Sequence, residues 1–135
     1  MTKVNFYLFE QSNERLVHST SRLCRKILRK PVKIWLYCPD QHLQQQLDDE
    51  LWSFDASSFL AHGINQTQAP ICISAELPDD KTWIVFNFDQ HAIDPTIQFE
   101  HIIEIIENNE PAKVIGREKF KTYRQHGIQA QTYKL

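Results

Sequence analysis

The stretch FEHIIEIIENNEPAKVIGREKFKTYRQHG, Phe99–Gly127, changes its periodicity partway along, and that change decides the fold class. Its first part, Phe99–Ile106 (FEHIIEII), has mixed periodicity; β-branched richness and short length favour a strand, with a helix as the alternative. Its second part, Glu110–Gly127, reads as a helix with marked ends. Asn108 and Asn109 are candidate caps, Pro111 suits the first turn, and Gly127 supplies a left-handed stop. A strand running directly into a capped helix is the building unit of an α/β protein.

Within that last helix, Lys113, Arg117, Lys121 and Arg124 follow at spacings of four, four and three. At about 100° per residue they fall within roughly 80° of one another and form one basic stripe. Phe120 projects about 20° from its edge, and Gly116 lets the backbone approach a sheet closely. Cations beside an aromatic suit an acidic peptide carrying a hydrophobic side chain: charge-assisted hydrogen bonds hold the carboxylates and an apolar slot sets the register. The alternative is a solvated face whose cations complement the helix dipole.

Upstream, Val4–Phe9 (VNFYLF) is a first strand. Asn13 is a candidate cap for a helix to about Lys30, with Leu16, Leu23, Cys24, Ile27 and Leu28 on its apolar side and six Lys/Arg on the rest. Val32–Cys38 (VKIWLYC) reads as a second strand. Pro39-Asp40 opens a second helix, in which Leu43, Leu47, Leu51 and Trp52 mark the buried side. Ser53–Ile64 carries Phe54, Phe59, Leu60 and His62. Pro70–Ala75 and Thr82–Phe88 are two further strands joined by a turn around Asp79 and Asp80. The order β-α-β-α-β-β-β-α predicts an α/β fold: a single domain, residues 1–135, with a mostly parallel, Rossmann-like sheet flanked by helices. The residues after Gly127 read as a short polar tail.

The net charge of −2 conceals a segregation. Residues 1–33 hold eight Lys/Arg against two acids, residues 113–135 hold six against one, and residues 34–112 hold one against fourteen. Distinct basic and acidic surfaces follow, rather than a uniformly basic footprint for bare DNA. Cys24, Cys38 and Cys72 sit singly in apolar runs with no CxxC, which fits buried thiols in a reducing cytosol. With no signal pattern and no apolar run of membrane-spanning length, a cytoplasmic location is expected.

Several chemistries lack their residues. The three glycines, Gly63, Gly116 and Gly127, make no GxGxxG and no phosphate loop, so no nucleotide cofactor is expected. The six histidines form no HxxxH or HxH pair, and Cys38 with His42 lacks a second ligand pair, so no metal is expected. Asp48, Asp49 and Glu50 diverge on a helix, and Ser57-Ser58 lacks a nucleophile elbow, leaving no catalytic constellation.

Three segments carry a resemblance. NFYLFE (Asn5–Glu10), DELWSFDASSFLAHG (Asp49–Gly63) and REKFKTYRQHGI (Arg117–Ile128), in this order over essentially the whole chain, resemble the chi subunit of bacterial DNA polymerase III. The resemblance implies a Rossmann-like fold with no nucleotide binding and no catalysis of its own, in a non-catalytic accessory subunit of the replicative polymerase, associated with the replisome. It implies two partners: the psi subunit, which tethers chi to the clamp loader, and the acidic C-terminal tail of the single-stranded DNA-binding protein, which ends in phenylalanine. Nucleic acid would be reached mainly indirectly. Arg117 and Lys121 match the family's tail-binding cations, Phe120 stands where an aromatic lines the slot, and Arg124 matches a further basic position. Lys113 rests on the helical wheel alone. Tyr123 matches a family aromatic. Phe59 matches the phenylalanine used for psi, with Trp52 matching a tryptophan just before it; a helicase can compete for that surface. Two other classes stay open: an enzyme on a degenerate Rossmann-like scaffold, and a direct nucleic-acid binder using the basic first and last helices.

Overall fold

The computed structural model describes residues 2–9, 16–53 and 62–134, with residues 52 and 53 by backbone alone. In chain order the elements are β1 (Lys3–Leu8), α1 (Leu16–Ile27), β2 (Ile34–Tyr37), α2 (Gln41–Ser53), β3 (His62–Ile64), β4 (Ile71–Ser74), β5 (Ile84–Asn87), β6 (His101–Ile106), α3 (Glu110–Gln125) and β7 (Ala130–Lys134), with a 3-10 turn at Pro95–Ile97. The strands form one sheet in the order β3-β4-β2-β5-β6-β1-β7, and all its pairings are parallel. The α/β class and the parallel sheet predicted from the sequence are therefore present. The candidate cap Asn13 and the residues Phe54, Ser57, Ser58, Phe59 and Leu60 lie outside the described residues.

Local signals act where the sequence places them. Asp40 Oδ1 accepts from His42 N at 2.9 Å and caps α2, while Asn109 Oδ1 accepts from Ala112 N at 2.9 Å and caps α3 ahead of Pro111. Gly127 has φ +77° and ends that helix in the left-handed region. In α1 the fully covered side is not leucine: Ser19, Thr20, Ser21 and Cys24 are buried, while Leu23, Ile27 and Leu28 pack at the margin. Thr20 Oγ1 donates to Leu16 O at 2.8 Å and Ser21 Oγ to Val17 O at 3.1 Å, so both hydroxyls are satisfied inside the helix.

Three features depart from the sequence reading, the first being the short strand β3, which lies in a segment given no element from the sequence and pairs with β4. The turn at Asp80 exists, with Thr82 N donating to Asp80 Oδ1 at 2.9 Å, yet β4 and β5 are not neighbours; β2 lies between them. The connection runs back across the sheet instead, held by Trp35 Nε1 donating to Glu76 O at 2.8 Å, and it packs Leu77 and Trp83 onto the face that α3 shares. A mostly polar loop with a few inward apolar side chains thus covers sheet that a crossover helix would otherwise cover. The supposed polar tail is a strand, β7, which pairs with β1 from Val4↔Ala130 to Leu8↔Lys134. Its side chains are mostly exposed, so no hydrophobic alternation marked it.

Strand alternation splits the interior into two layers. Val4, Phe6, Val85 and Ile102 point to the α3 side with Phe99 and Tyr123. Ile34, Leu36, Ile73 and Phe86 point to the α1 and α2 side with Cys24 and Leu47. The three cysteines are free and buried.

At the α3 layer lies a charge that the sequence did not flag. Glu104 of β6 is 0% exposed and Lys119 of α3 only 6%. Lys119 Nζ donates to Glu104 Oε1 at 2.8 Å; Tyr123 Oη and Asn87 Nδ2 each donate to Glu104 Oε2 at 2.7 Å. Tyr123 Oη in turn accepts from Ile93 N at 3.1 Å, and Asn87 Nδ2 also donates to His91 O at 2.9 Å. Burial pushes the Glu104 carboxyl above its usual range, against the pull of Lys119 and the Tyr123 and Asn87 hydrogen bonds. Burial, then the Glu104 charge, pushes the Tyr123 phenol up as well.

The folded protein therefore holds the Glu104 proton more tightly than the unfolded chain does. This contribution to stability is full below the unfolded pKa and is lost as pH rises through the folded one. Lys119→Met removes the opposing charge and raises the carboxyl further. The expected loss is about 3 kcal/mol at pH 7 by urea unfolding, and smaller in a second series at acid pH, where the carboxyl protonates. A loss that is the same at both pH values would contradict the pairing described.

Candidate functional site

Beside this network, α3 does not close completely on the sheet. A groove of about 210 Å³ opens between it and the β6-β1-β7 edge. Phe6 and Leu8 from β1, Ile106 from β6 and Thr132 from β7 line one side; Lys113, Gly116, Arg117 and Phe120 from α3 line the other. Gly116 is the reason the helix sits so low: a Cβ there would come within 2.7 Å of Ile106 Cδ1. Phe120 is half-buried and meets Phe6 edge-on, centroids 5.6 Å apart at 60°. Tyr123, one turn on, is fully buried and belongs to the core.

The groove brings three of the sequence-predicted residues together: Lys113, Arg117 and Phe120. Lys121 and Arg124 continue the stripe in solvent without lining it. The stripe is weakly engaged. Arg117 reaches Glu110 at 3.5 Å and Lys121 reaches Glu118 at 3.6 Å, with all four side chains at least 64% exposed. Such exposed pairs contribute about 0–1 kcal/mol and give way to a better anion. Of the second group of predicted residues, Phe59 lies outside the described residues, and Trp52 is placed only as a backbone position in α2.

Sequence reasoning missed Phe6, Leu8, Ile106 and Thr132. Alternation marks Phe6 and Leu8 as facing one way, but not as lying where a helix leaves a gap. Thr132 sits on the strand read as tail. Chemically the arrangement is an apolar slot with two cations at its lip. An enclosed site of roughly 150 Å³ accommodates a benzene ring, so the volume suits one aromatic side chain with a carboxylate alongside. Among the described residues no group of three or more His, Cys, Asp or Glu is gathered as a metal site would need.

A family model described as DNA polymerase III chi subunit, HolC, matches residues 1–131. DNA polymerase III subunit chi of Pseudomonas aeruginosa is 26% identical over 139 residues, covering 100% of this chain and 98% of that protein. The subunit of the same name from Haemophilus influenzae is 24% identical, covering 94% and 93%. That from Escherichia coli is 22% identical, covering 98% and 97%. Among solved structures, the C-terminal domain of S. cerevisiae Dbp5, in a complex with Gle1 and IP6, superposes with a TM-score of 0.62. It covers 99% of this chain and 90% of that one at 14% identity, a likeness of fold alone.

The groove's geometry predicts its ligand's chemistry. N-acetylphenylalanine, which offers a ring and a carboxylate, is expected to bind with a dissociation constant of about 1 mM or weaker, and its uncharged amide several-fold less well. Gly116→Val, which fills the floor, is expected to abolish both. Equal NMR shift changes for acid and amide would remove the cations from the site.

Proposed function

This chain belongs to the DNA polymerase III chi subunit family, and on that premise we propose that it works in DNA replication as a tether rather than a catalyst. In this reading the α3 groove receives the acidic C-terminal tail of the single-stranded DNA-binding protein, whose terminal phenylalanine enters the slot. A separate surface around Phe59 binds psi and so reaches the clamp loader. The observation that carries the tail assignment is the meeting, in one groove, of an apolar pocket with Lys113 and Arg117. A terminal phenylalanine presents both chemistries that this pair can satisfy: a ring for Phe6, Ile106 and Phe120, and an α-carboxylate for Arg117 or Lys113.

Roles differ along the stripe. Arg117 and Lys113 flank the slot and hold the terminal carboxylate; Lys121 and Arg124 attract the acidic residues that precede it, at longer range. Phe120 carries no hydroxyl, so it contributes ring contact only. A single short tail makes few contacts and exchanges readily, while several tails on one coating protein add avidity.

Calorimetric titration with an acidic peptide ending in phenylalanine tests this. Arg117→Ala is expected to weaken binding by about 1–2 kcal/mol, Lys121→Ala by about 0.5 kcal/mol, and removal of the last peptide residue to abolish it. Added salt should weaken the wild-type interaction. Wild-type affinity in Arg117→Ala would dismiss the groove as the receptor.

For the second surface, Phe59→Ala is expected to abolish co-elution with psi while peptide binding persists. Loss of both would point to unfolding, and retention of psi would move that surface elsewhere.

A further inference from the structure

On the opposite face of the same two edge strands the surface has different chemistry. Alternation turns Lys3 and Tyr7 of β1, His101 of β6 and Tyr133 of β7 away from α3. The C-terminal end of α1 stands beside them, and a cleft of about 400 Å³ lies between, lined by Lys3, Tyr7, Leu23, Lys26, Lys30 and His101 among others, with no acid among the described residues of its wall. A second hollow, formed by Arg22, Arg25, Lys26 and Arg29, adjoins it through Lys26. Arg22 and Arg25 are already partnered, but Lys3, Lys26, Arg29 and Lys30 make no ion pair with any described residue. Burial, and then the Lys3 charge, hold His101 below the usual histidine range.

At the outer end of this cleft, Tyr133 stacks on Tyr7 with ring centroids 5.2 Å apart and planes at 21°. Tyr133 is 41% exposed and lies on the last strand of the sheet, so the stack is open on its outer side. Its hydroxyl donates to Gln131 Oε1 at 2.7 Å. Open aromatic rings on a sheet face, beside Lys3, Lys26 and Lys30, which pair with no described acid, fit a chain that alternates flat bases with phosphates.

We propose that this face binds single-stranded DNA directly, with one base extending the Tyr7–Tyr133 stack and the phosphates lying along Lys3, Lys26 and Lys30. It does not rest on the tail reading, because the α3 groove lies across the sheet and shares none of these residues. Single strands are favoured over duplex because a ring can reach a base face only when the base is unpaired. A single strand fits better than an acidic peptide because the cleft sets its cations beside stacked rings that match flat bases, with Leu23, Ile27, Val32, Ile84 and Ile103 lining it alongside the lysines. The two basic helices do not cooperate in it: α1 and α3 cover opposite faces of the sheet.

The test is fluorescence anisotropy of a labelled thymidine oligomer of about 16 nucleotides with the full chain, no coating protein being present. Saturable binding is expected, with a slope of log affinity against log salt of roughly −2, as for three neutralised phosphates. Lys26→Glu/Lys30→Glu should weaken it about tenfold or more, while Lys81→Glu, outside the cleft, should not. Tyr133→Ala should weaken it about fivefold, and Tyr133→Phe should restore it. In the unmodified chain, oligomer-induced NMR shifts should centre on β1, β7 and the end of α1, which tests the face without any substitution. The proposal is overturned by absence of binding at about 50 mM salt, by indifference to the double charge reversal, by equal affinity for duplex, or by shifts confined to the α3 groove.

Discussion

The Glu104–Lys119 pair is the constraint on which the α3 side of the molecule depends. A carboxylate in the middle of a buried strand is costly unless it is paired and its remaining lone pairs are occupied. Here Lys119 supplies the charge and Tyr123 and Asn87 the hydrogen bonds. Lys119 and Tyr123 are four residues apart, so one helix face carries both, and only one rotation of α3 about its axis brings both to Glu104. That rotation turns Gly116 toward Ile106, Phe120 toward Phe6, and Lys113 and Arg117 to the groove lip. The orientation of the candidate site is thus set by a buried polar network next to it. Tyr123 also ties in the loop after β5 through Ile93 N, so the helix, two strands and that loop are held at one carboxylate.

The sheet's edge concentrates the molecule's recognition chemistry. At its centre, β2 and β4, with most of β5, are buried and read as apolar runs. Toward β1 and β7, α3 covers one face incompletely and α1 reaches only part of the other. Two clefts result, back to back on the same strands: one apolar with cations at its lip, one basic with stacked rings. Their difference follows from β1 alternation, which sends Phe6 and Leu8 one way and Lys3 and Tyr7 the other.

Much of this was legible residue by residue. Asn109, Pro111 and Gly127 bounded α3, and Asp40 opened α2, because capping is local chemistry between neighbours in the chain. Phe99–Ile106 carried enough β-branched residues to be read as a strand. The turn at Asp80 was legible, but its consequence was not, since nothing local says that β2 will stand between β4 and β5. In α1 the leucines drew attention, whereas Ser19, Thr20 and Ser21 are the residues that pack closest, their hydroxyls satisfied within the helix. Small residues let α1 lie close to its neighbours, a requirement visible only once those neighbours are placed.

On its own, the sequence determined the α/β class, the ends of two helices and the line of cations along α3, all of which depend on contacts within a few residues. Tertiary structure alone decided the rest. It made Ala130–Lys134 a strand, because β1 offered an open edge to a segment with no apolar pattern of its own. It separated Lys119 from the other cations of the same helix, burying it against Glu104 while Arg117 and Lys121 stayed in solvent. And it completed the groove with Phe6, Leu8, Ile106 and Thr132, residues from three strands far apart in the chain. Periodicity names the face a side chain takes; only the packing of elements distant in sequence says which part of that face is left open.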